Sequence, residues 1–283
     1  MPYLSVIVPA YNEERRLPAT LESVYAYLSG QGKDFEIIVV DDGSLDQTVA
    51  VVETFAKHHD GVRLLSYSPN QGKGHAVRVG MLAARGDYLL IDDADGSSPI
   101  SELVRLEEAI TGGADIAIGS RAKPADDTVV EALAYRKYIG NTFNFIVQSL
   151  LLRGIYDTQC GFKLFKKDVA RDIFSVSLID GFGFDVEVLS IARFRGYKIA
   201  EVAINWHNVE GSKVNVFTDS PRMLLEVLGV WVRALMGAYS RSSARKVMYP
   251  HIPGSYVAAS RPDEESGPGG THPPQVASEP AKE

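Results

Sequence analysis

Tyr88-Leu89-Leu90-Ile91-Asp92-Asp93-Ala94-Asp95 joins an apolar run directly to three carboxylates. The four apolar residues read as a short buried strand, which delivers the acids to one edge of a sheet. Neighbouring carboxylates raise each other's pKa, so clustering them is costly. A divalent cation would offset that cost. Hard oxygen ligands suit Mg²⁺ or Mn²⁺, which are commonly held by one or two carboxylates plus substrate phosphates. Taken alone, Asp93-Ala94-Asp95 is also an ordinary acidic turn after a strand. Its surroundings shift the balance toward a metal and a diphosphate.

Outward from this stretch, the first 120 residues alternate two periodicities. Leu4 to Val8, Phe35 to Val40, Val62 to Ser66, Tyr88 to Ile91 and Asp115 to Ile118 read as short buried strands. Between them, apolar stripes at helical spacing run through Leu17, Leu21, Val24 and Leu28, through Val51, Val52 and Phe55, through Val77, Gly80, Met81 and Ala84, and through Ile100, Leu103, Leu106 and Ile110. This alternation predicts an α/β fold with a mainly parallel sheet covered on both faces. Such sheets bind ligands beyond the carboxyl ends of their strands.

The polar motifs fall at those ends. In Pro9-Ala10-Tyr11-Asn12-Glu13-Glu14, Pro9 is expected to end the first strand and Asn12 to cap a helix, with the two acids at its positive end. Capping does not require Tyr11, which suits the wall of a nucleotide pocket. In Asp41-Asp42-Gly43-Ser44-Leu45-Asp46, Ser44 or Asp46 is a candidate cap, and Asp42 an acceptor for a base N–H. Gly72-Lys73-Gly74 offers close backbone approach and a cation for a phosphate, without the spacing of a Walker loop.

Beyond about Arg121 the rhythm changes. Glu131 to Leu152, Asp185 to Arg195 and Met223 to Tyr239 read as helices, Lys198 to Trp206 as a strand, and Thr158 to Phe165 as mixed. Residues 250–283 hold seven of the 14 prolines and four glycines. The expected division is a folded domain over 1–240 and a disordered tail over 241–283, too poor in large apolar residues to offset its ordering entropy.

Composition narrows the classes. The 283 residues carry 29 Lys and Arg against 36 Asp and Glu, a net charge of −7, which gives no support for nucleic-acid binding. The single cysteine, Cys160, excludes an internal disulfide and fits a reducing compartment. The N-terminus lacks the pattern of a signal peptide, and no apolar run reaches the roughly 18 residues of a transmembrane helix. The histidines show no zinc-ligand spacing.

In order along the chain, Pro9-Ala10-Tyr11-Asn12-Glu13-Glu14, Asp41-Asp42-Gly43-Ser44, Asp93-Ala94-Asp95, Gly119-Ser120-Arg121, Asp157-Thr158-Gln159-Cys160-Gly161-Phe162-Lys163-Leu164-Phe165 and Gly211-Ser212-Lys213 resemble the family 2 glycosyltransferases. The later motifs resemble the dolichyl-phosphate or polyprenyl-phosphate glucosyltransferase branch, over roughly residues 3 to 235. The resemblance implies a GT-A fold, with a Rossmann-like sheet flanked by helices and a C-terminal amphipathic helix. It implies that Pro9, Tyr11 and Glu13 contact the nucleotide, that Asp42 binds the base, and that Lys73 lies near base and ribose. Asp93 and Asp95 match the metal motif for Mg²⁺ or Mn²⁺, with Asp93 also reaching the ribose. Arg121 matches an arginine near the diphosphate and acceptor phosphate. Lys163 matches a basic residue for the lipid phosphate, and Ser212 and Lys213 a basic motif near the phosphates. Asp157 matches an acid assigned as a base, and it is equally placed to orient Arg121 or Lys163.

The implied reaction is an inverting transfer of a hexose, glucose from UDP-glucose, to a polyprenyl or dolichyl phosphate. Mannose from GDP-mannose, or nucleotide-sugar binding without catalysis, are the alternatives. A lipid acceptor requires access to a bilayer. Phe143, Phe145, Ile146, Val147, Leu150, Leu151 and Leu152 form one candidate surface, and Met223 to Met236, with Trp231 and Arg233 at the interface, another. The expectation is a cytoplasmic protein attached peripherally to the inner face of the membrane, which leaves room for a homo-oligomer or a membrane-protein partner.

Overall fold

The computed structural model describes residues 1–123, 125, 128–130, 147–209 and 216–240, with the side chains of 216–222 left out. Lys213, Ser212, the tail over 241–283, most of the expected helix from Glu131, and Phe143, Phe145 and Ile146 lie outside the described residues.

Seven strands form one sheet: β1 (Leu4–Ala10), β2 (Phe35–Asp41), β3 (Val62–Ser66), β4 (Tyr88–Ile91), β5 (Ile116–Ser120), β6 (Lys163–Lys166) and β7 (Ile199–Ala203). Their order is β3-β2-β1-β4-β6-β5-β7. Only β6 runs antiparallel to its neighbours, so the sheet is mainly parallel, as expected. The helices are α1 (Leu17–Ser29), α2 (Thr48–His58), α3 (Lys73–Ala83), α4 (Leu103–Thr111), preceded by a 3-10 turn over Ile100–Glu102, α5 (Lys167–Phe174), α6 (Phe184–Phe194) and α7 (Val216–Leu235).

Strand residues alternate between two cores because successive side chains point to opposite faces. Ile38 and Val40 pack with α3, α5, α6 and α7, while Ile37 and Val39 pack with α1, α2 and α4. Burial on both faces explains why these strands read as continuous apolar runs.

Two local expectations are corrected. The first strand does not stop at Pro9: Pro9 and Ala10 stay in register with Val40 and Asp41 of β2. The reason lies in the other neighbour. β1 pairs with β4 from Leu4↔Tyr88 only as far as Ile7↔Ile91, and the Ile7 carbonyl accepts the Asp92 N–H on that side. The Pro9 nitrogen, two residues on, faces the same side, where no strand needs its missing donor. Asn12 does not cap α1, which begins at Leu17 with Arg16 in the cap position. Asn12 instead adopts φ 52°, a left-handed conformation that asparagine tolerates, and ties two loops together.

The Met223 to Tyr239 reading is displaced toward the N-terminus, since α7 covers Val216–Leu235. The mixed Thr158 to Phe165 stretch resolves into a loop followed by β6.

Candidate active site

Each sequence motif within the described residues sits at the same sheet edge. The loops after β1, β2, β3, β4, β5 and β7 leave the carboxyl ends of parallel strands. The segment 156–162 precedes the antiparallel β6 and therefore reaches that edge too.

The first two loops are clasped. Asn12 N–H donates to Ser44 Oγ at 2.8 Å, Leu45 N–H donates to Asn12 Oδ1 at 2.7 Å, and Glu13 N–H donates to Thr48 Oγ1 at 2.7 Å. Neither expected cap holds the N-cap position of α2, which Gln47 occupies without a side-chain cap hydrogen bond; Asp46, one residue earlier, instead accepts from Thr48 N–H through Oδ1 at 3.0 Å. The third loop is fixed by Asp42, whose carboxylate accepts from Gln71 N–H and Gly72 N–H, each at 2.8 Å, and from Asn70 Nδ2 at 2.7 Å. A buried carboxylate with this many donors is firmly oriented. Asp42 therefore shapes the wall beside α3 as well as lining it.

These loops enclose a cleft of about 580 Å³ lined by Pro9, Tyr11, Glu13, Asp42, Lys73, Asp93 and Asp95. Seven of the residues singled out in the sequence thus meet around one space. Arg16, Asn70, Phe182, Met223 and Glu226 also line it.

The floor is a set of ion pairs. Lys73 Nζ lies 2.6 Å from Asp93 Oδ1. Burial by itself would raise the Asp93 pKa, but Lys73, with Lys163 and Arg121 further off, outweighs it and holds the carboxyl below its ordinary range. Burial likewise works against the Lys73 ammonium, and Asp93 more than restores it, raising its pKa. Asp92 has the opposite fate. Burial first, then Asp93 and Asp95, push its pKa well above normal, and its Oδ1 has no hydrogen-bond partner among the described residues. Asp95 accepts from Ser97 N–H at 3.0 Å, and its Oδ2 lies 3.9 Å from Arg16. Arg16 is itself committed to Glu13, at 2.7 and 2.5 Å.

Beside the cleft, Asp157 grips Arg121 three times. Its Oδ2 accepts from Arg121 N–H at 2.9 Å and Nε at 2.7 Å, and its Oδ1 accepts from Nη2 at 2.8 Å. Burial would raise the Asp157 pKa, but the Arg121 guanidinium and its hydrogen bonds hold it below the usual carboxylate range. A carboxylate so held is a weak base and a strong orienting group. Glu201 of β7 braces this unit, accepting from Tyr156 N–H, Asp157 N–H and Ser120 Oγ.

Lys163 does not present its ammonium to the cleft. Its side chain is 1% exposed, donating to Asp185 Oδ1 at 2.6 Å and to the Cys160 carbonyl. The physical reason is its place in β6, where Lys163 is buried: an uncompensated buried ammonium would be costly, and Asp185 on α6 supplies the counter-charge. Gly161, just before it, is the point of closest approach to Asp93, since a Cβ there would overlap the Asp93 carboxylate. Burial pushes the Cys160 thiol up to about 11, which leaves it an inert packed side chain, as expected.

Sequence reasoning passed over Asp185, Glu201, Glu226 and Gly161 as distinct parts of the site. Asp185 and Glu201 look like ordinary polar positions of a helix and a strand; only the long-range pairings give them partners.

The donor set fits a hard divalent cation in one way. Asp93 and Asp95 supply two carboxylates to the cleft, and no group of three or more His, Cys, Asp or Glu side chains among the described residues forms a closed metal cage. Two carboxylates with further oxygens from a substrate diphosphate match the habits of Mg²⁺ and Mn²⁺. Burial is the main cause of the raised Asp92 pKa, and only the smaller part due to Asp93 and Asp95 is charge that such an ion would relieve.

The acid-and-base-lined cleft lies at a strand-order switch of the sheet, the place where open α/β sheets bind their ligands. The chain belongs to glycosyl transferase family 2, whose model matches residues 5–174. It is 41% identical over 256 residues to the dolichyl-phosphate beta-glucosyltransferase of Drosophila melanogaster, covering 86% of this chain and 78% of the relative. The Homo sapiens protein of the same name is 38% identical over 257 residues, with 86% and 79% covered. Among solved structures, the glucosyl-3-phosphoglycerate synthase of Mycobacterium tuberculosis in complex with Mn²⁺ and UDP-glucose superposes with a TM-score of 0.60 at 18% identity, over 81% of this chain and 79% of that one. The fold is GT-A, and the chain is a glycosyltransferase.

Proposed function

We propose that this enzyme transfers glucose from UDP-glucose to a polyprenyl phosphate of the dolichyl type, with inversion at the anomeric carbon. The observation that carries the chemistry is the convergence of Lys73, Asp93 and Asp95 in the cleft, with the Arg121–Asp157 unit beside it. The choice of glucose and dolichyl phosphate is supported by the names of the relatives.

In this reading, Tyr11, Pro9 and Glu13 border the nucleotide, and Asp42 holds the wall against which the base lies. Asp93 and Asp95 would hold Mg²⁺ or Mn²⁺, which supplies positive charge for the departing diphosphate. Arg121 meets the acceptor phosphate, and Asp157 keeps the guanidinium in place. An acceptor phosphate oxygen bonds to the anomeric carbon from the face opposite the leaving group. The bond from that carbon to the diphosphate oxygen breaks, and UDP leaves with the electron pair. A phosphate monoester is already largely a dianion near neutral pH, so no strong base is needed. Lys163 acts from below, adding positive potential near Asp93. Lys213 is assigned to the phosphates on the resemblance alone.

Access to the lipid is assigned to α7. No helix among the described residues is long and apolar enough to cross a membrane. Met223, Val227 and Val230 are buried, while Leu225 and Leu235, 70% and 69% exposed, lie with Leu228, Trp231, Val232 and Met236 on the outer side. The same helix lines the cleft through Met223 and Glu226, so its outer face lies one helix diameter from the chemistry. Arg233, expected at the interface, turns inward, with Nε donating to Tyr239 Oη at 2.7 Å. Of the other expected surface, the described Val147, Leu151 and Leu152 are buried and Leu150 is exposed, while Phe143, Phe145 and Ile146 lie outside the described residues. We place this peripheral attachment on the cytoplasmic leaflet.

The donor half of the proposal is tested by Asp95→Asn. Calorimetric titration with UDP-glucose should show Mn²⁺-dependent binding in the parent protein and at least tenfold weaker binding in the variant, with an unchanged circular dichroism spectrum. Equal binding in both would remove Asp95 from the metal site.

A further inference from the structure

Trp206 follows β7 and sits at the carboxyl edge of the sheet, beyond the chain of motifs that define the site. Its backbone is anchored, with Trp206 N–H donating to the Val129 carbonyl at 3.0 Å and a parallel bridge to Val130. The Arg121 guanidinium carbon stands over its ring, 5.5 Å from the centroid. That is within the range of a cation–π contact.

Two constraints of different kind therefore act on one cation. Asp157 takes the Nε and Nη2 edge in the plane of the guanidinium. The Trp206 ring adds a second contact, with the guanidinium carbon over its face. Among the described residues Asp157 engages Nε and Nη2 but not Nη1, on a side chain that is 32% exposed. A guanidinium held by Asp157 along one edge and by an aromatic ring beside it, on a side chain still 32% exposed, is pre-organised for an anion. An arginine held by Asp157 alone could still swing about that edge.

We propose that Trp206 is a positioning residue for Arg121, and that the pair forms the subsite that recognises the phosphate of the acceptor. The inference rests on the reading of the acceptor as a prenyl phosphate and adds a residue to it. Trp206 acts through the guanidinium and touches no reacting atom. The ring's contribution predicts an effect on acceptor binding and none on the donor, because the cleft lining contains no part of Trp206.

The experiment uses the full chain with Mn²⁺, UDP-glucose and citronellyl phosphate, a short soluble prenyl phosphate, with inorganic phosphate as competitor. Trp206→Leu keeps apolar bulk and removes the π face; Trp206→Phe keeps a smaller one. A cation–π contact of ordinary strength corresponds to roughly 2- to 30-fold in affinity. The expected result is about a tenfold rise in the KM for citronellyl phosphate in Trp206→Leu, an unchanged KM for UDP-glucose, and recovery to within about threefold in Trp206→Phe. Inorganic phosphate should compete less well against Trp206→Leu by the same factor if the subsite reads the phosphate itself; competition unchanged from the parent would overturn that assignment. Unchanged acceptor KM in Trp206→Leu, or a parallel rise in both KM values, would overturn the proposal. If the parent protein transfers glucose to no prenyl phosphate, the proposed function fails, and Trp206 is then judged by calorimetric binding of citronellyl phosphate, where loss in Trp206→Leu alone supports its role and equal binding refutes it.

Discussion

Gly161→Ala should lower glucosyl transfer by at least 100-fold while leaving the protein folded. A Cβ at position 161 would overlap the Asp93 carboxylate, and Asp93 is too short to absorb the clash at its tip alone. The carboxylate must rotate away, and its 2.6 Å pair with Lys73 breaks with it. Misplacing a charged group by about 1 Å in a pre-organised site is enough for a loss of roughly 100-fold. The added methyl does not enter either apolar core, so the far-ultraviolet spectrum should be unchanged. The check is turnover together with Mn²⁺-dependent UDP binding: both should fall. Wild-type turnover would show that Asp93 does not need the position it holds.

Asp157→Asn should reduce kcat by about 100- to 1,000-fold, and the shape of its pH profile should distinguish orienting from proton transfer. Asn keeps the size of the side chain but loses the charge and one acceptor of the three bonds to Arg121. Were Asp157 a base, the acid limb of the profile would belong to it and vanish in the variant. The Asp157 pKa is held below its ordinary range, so that group stays ionised across the working range. The acid limb near pH 6 should belong to the acceptor phosphate, whose second pKa is about 6, and should survive in Asp157→Asn. A lost limb would make Asp157 the base. The linked stability has a definite sign. Because folding depresses this carboxylate's pKa, the ion pair stabilises the fold above about pH 4, and that contribution disappears as pH falls through the depressed value.

The architecture was legible where local pattern and tertiary environment agree. Tyr88-Leu89-Leu90-Ile91 became β4 with its expected bounds because a strand buried on both faces must be apolar throughout. The stripe Leu17, Leu21, Val24 and Leu28 became the buried side of α1. By contrast, β6 is four residues, Lys163–Lys166, and its two lysines mask the pattern. It exists through its antiparallel partners on both sides, with Phe165 opposite Leu89 of β4 and Ile116 of β5, which no local window contains.

The site was legible in the same uneven way. Acids at strand ends located the cleft, since strand ends are where such a sheet binds. Asn12 was misread because a short polar residue before a helix suits a cap, whereas its partners lie 32 and 33 residues away at Ser44 and Leu45. Lys163 illustrates the limit most clearly. The family resemblance assigns it to the lipid phosphate, and only the placement of Asp185 on α6, 22 residues on, shows where its charge is satisfied.

The most direct measurement is transfer of radiolabelled glucose into lipid. Purified protein is mixed with Mn²⁺ and anionic vesicles carrying polyprenyl phosphate, and UDP-glucose, GDP-mannose and UDP-N-acetylglucosamine are supplied in turn. The vesicles are then pelleted. The account predicts label in the lipid fraction from UDP-glucose, at least tenfold above the other donors, with the protein in the pellet. Absence of lipid-linked label from every donor, or a clear preference for GDP-mannose, would contradict it.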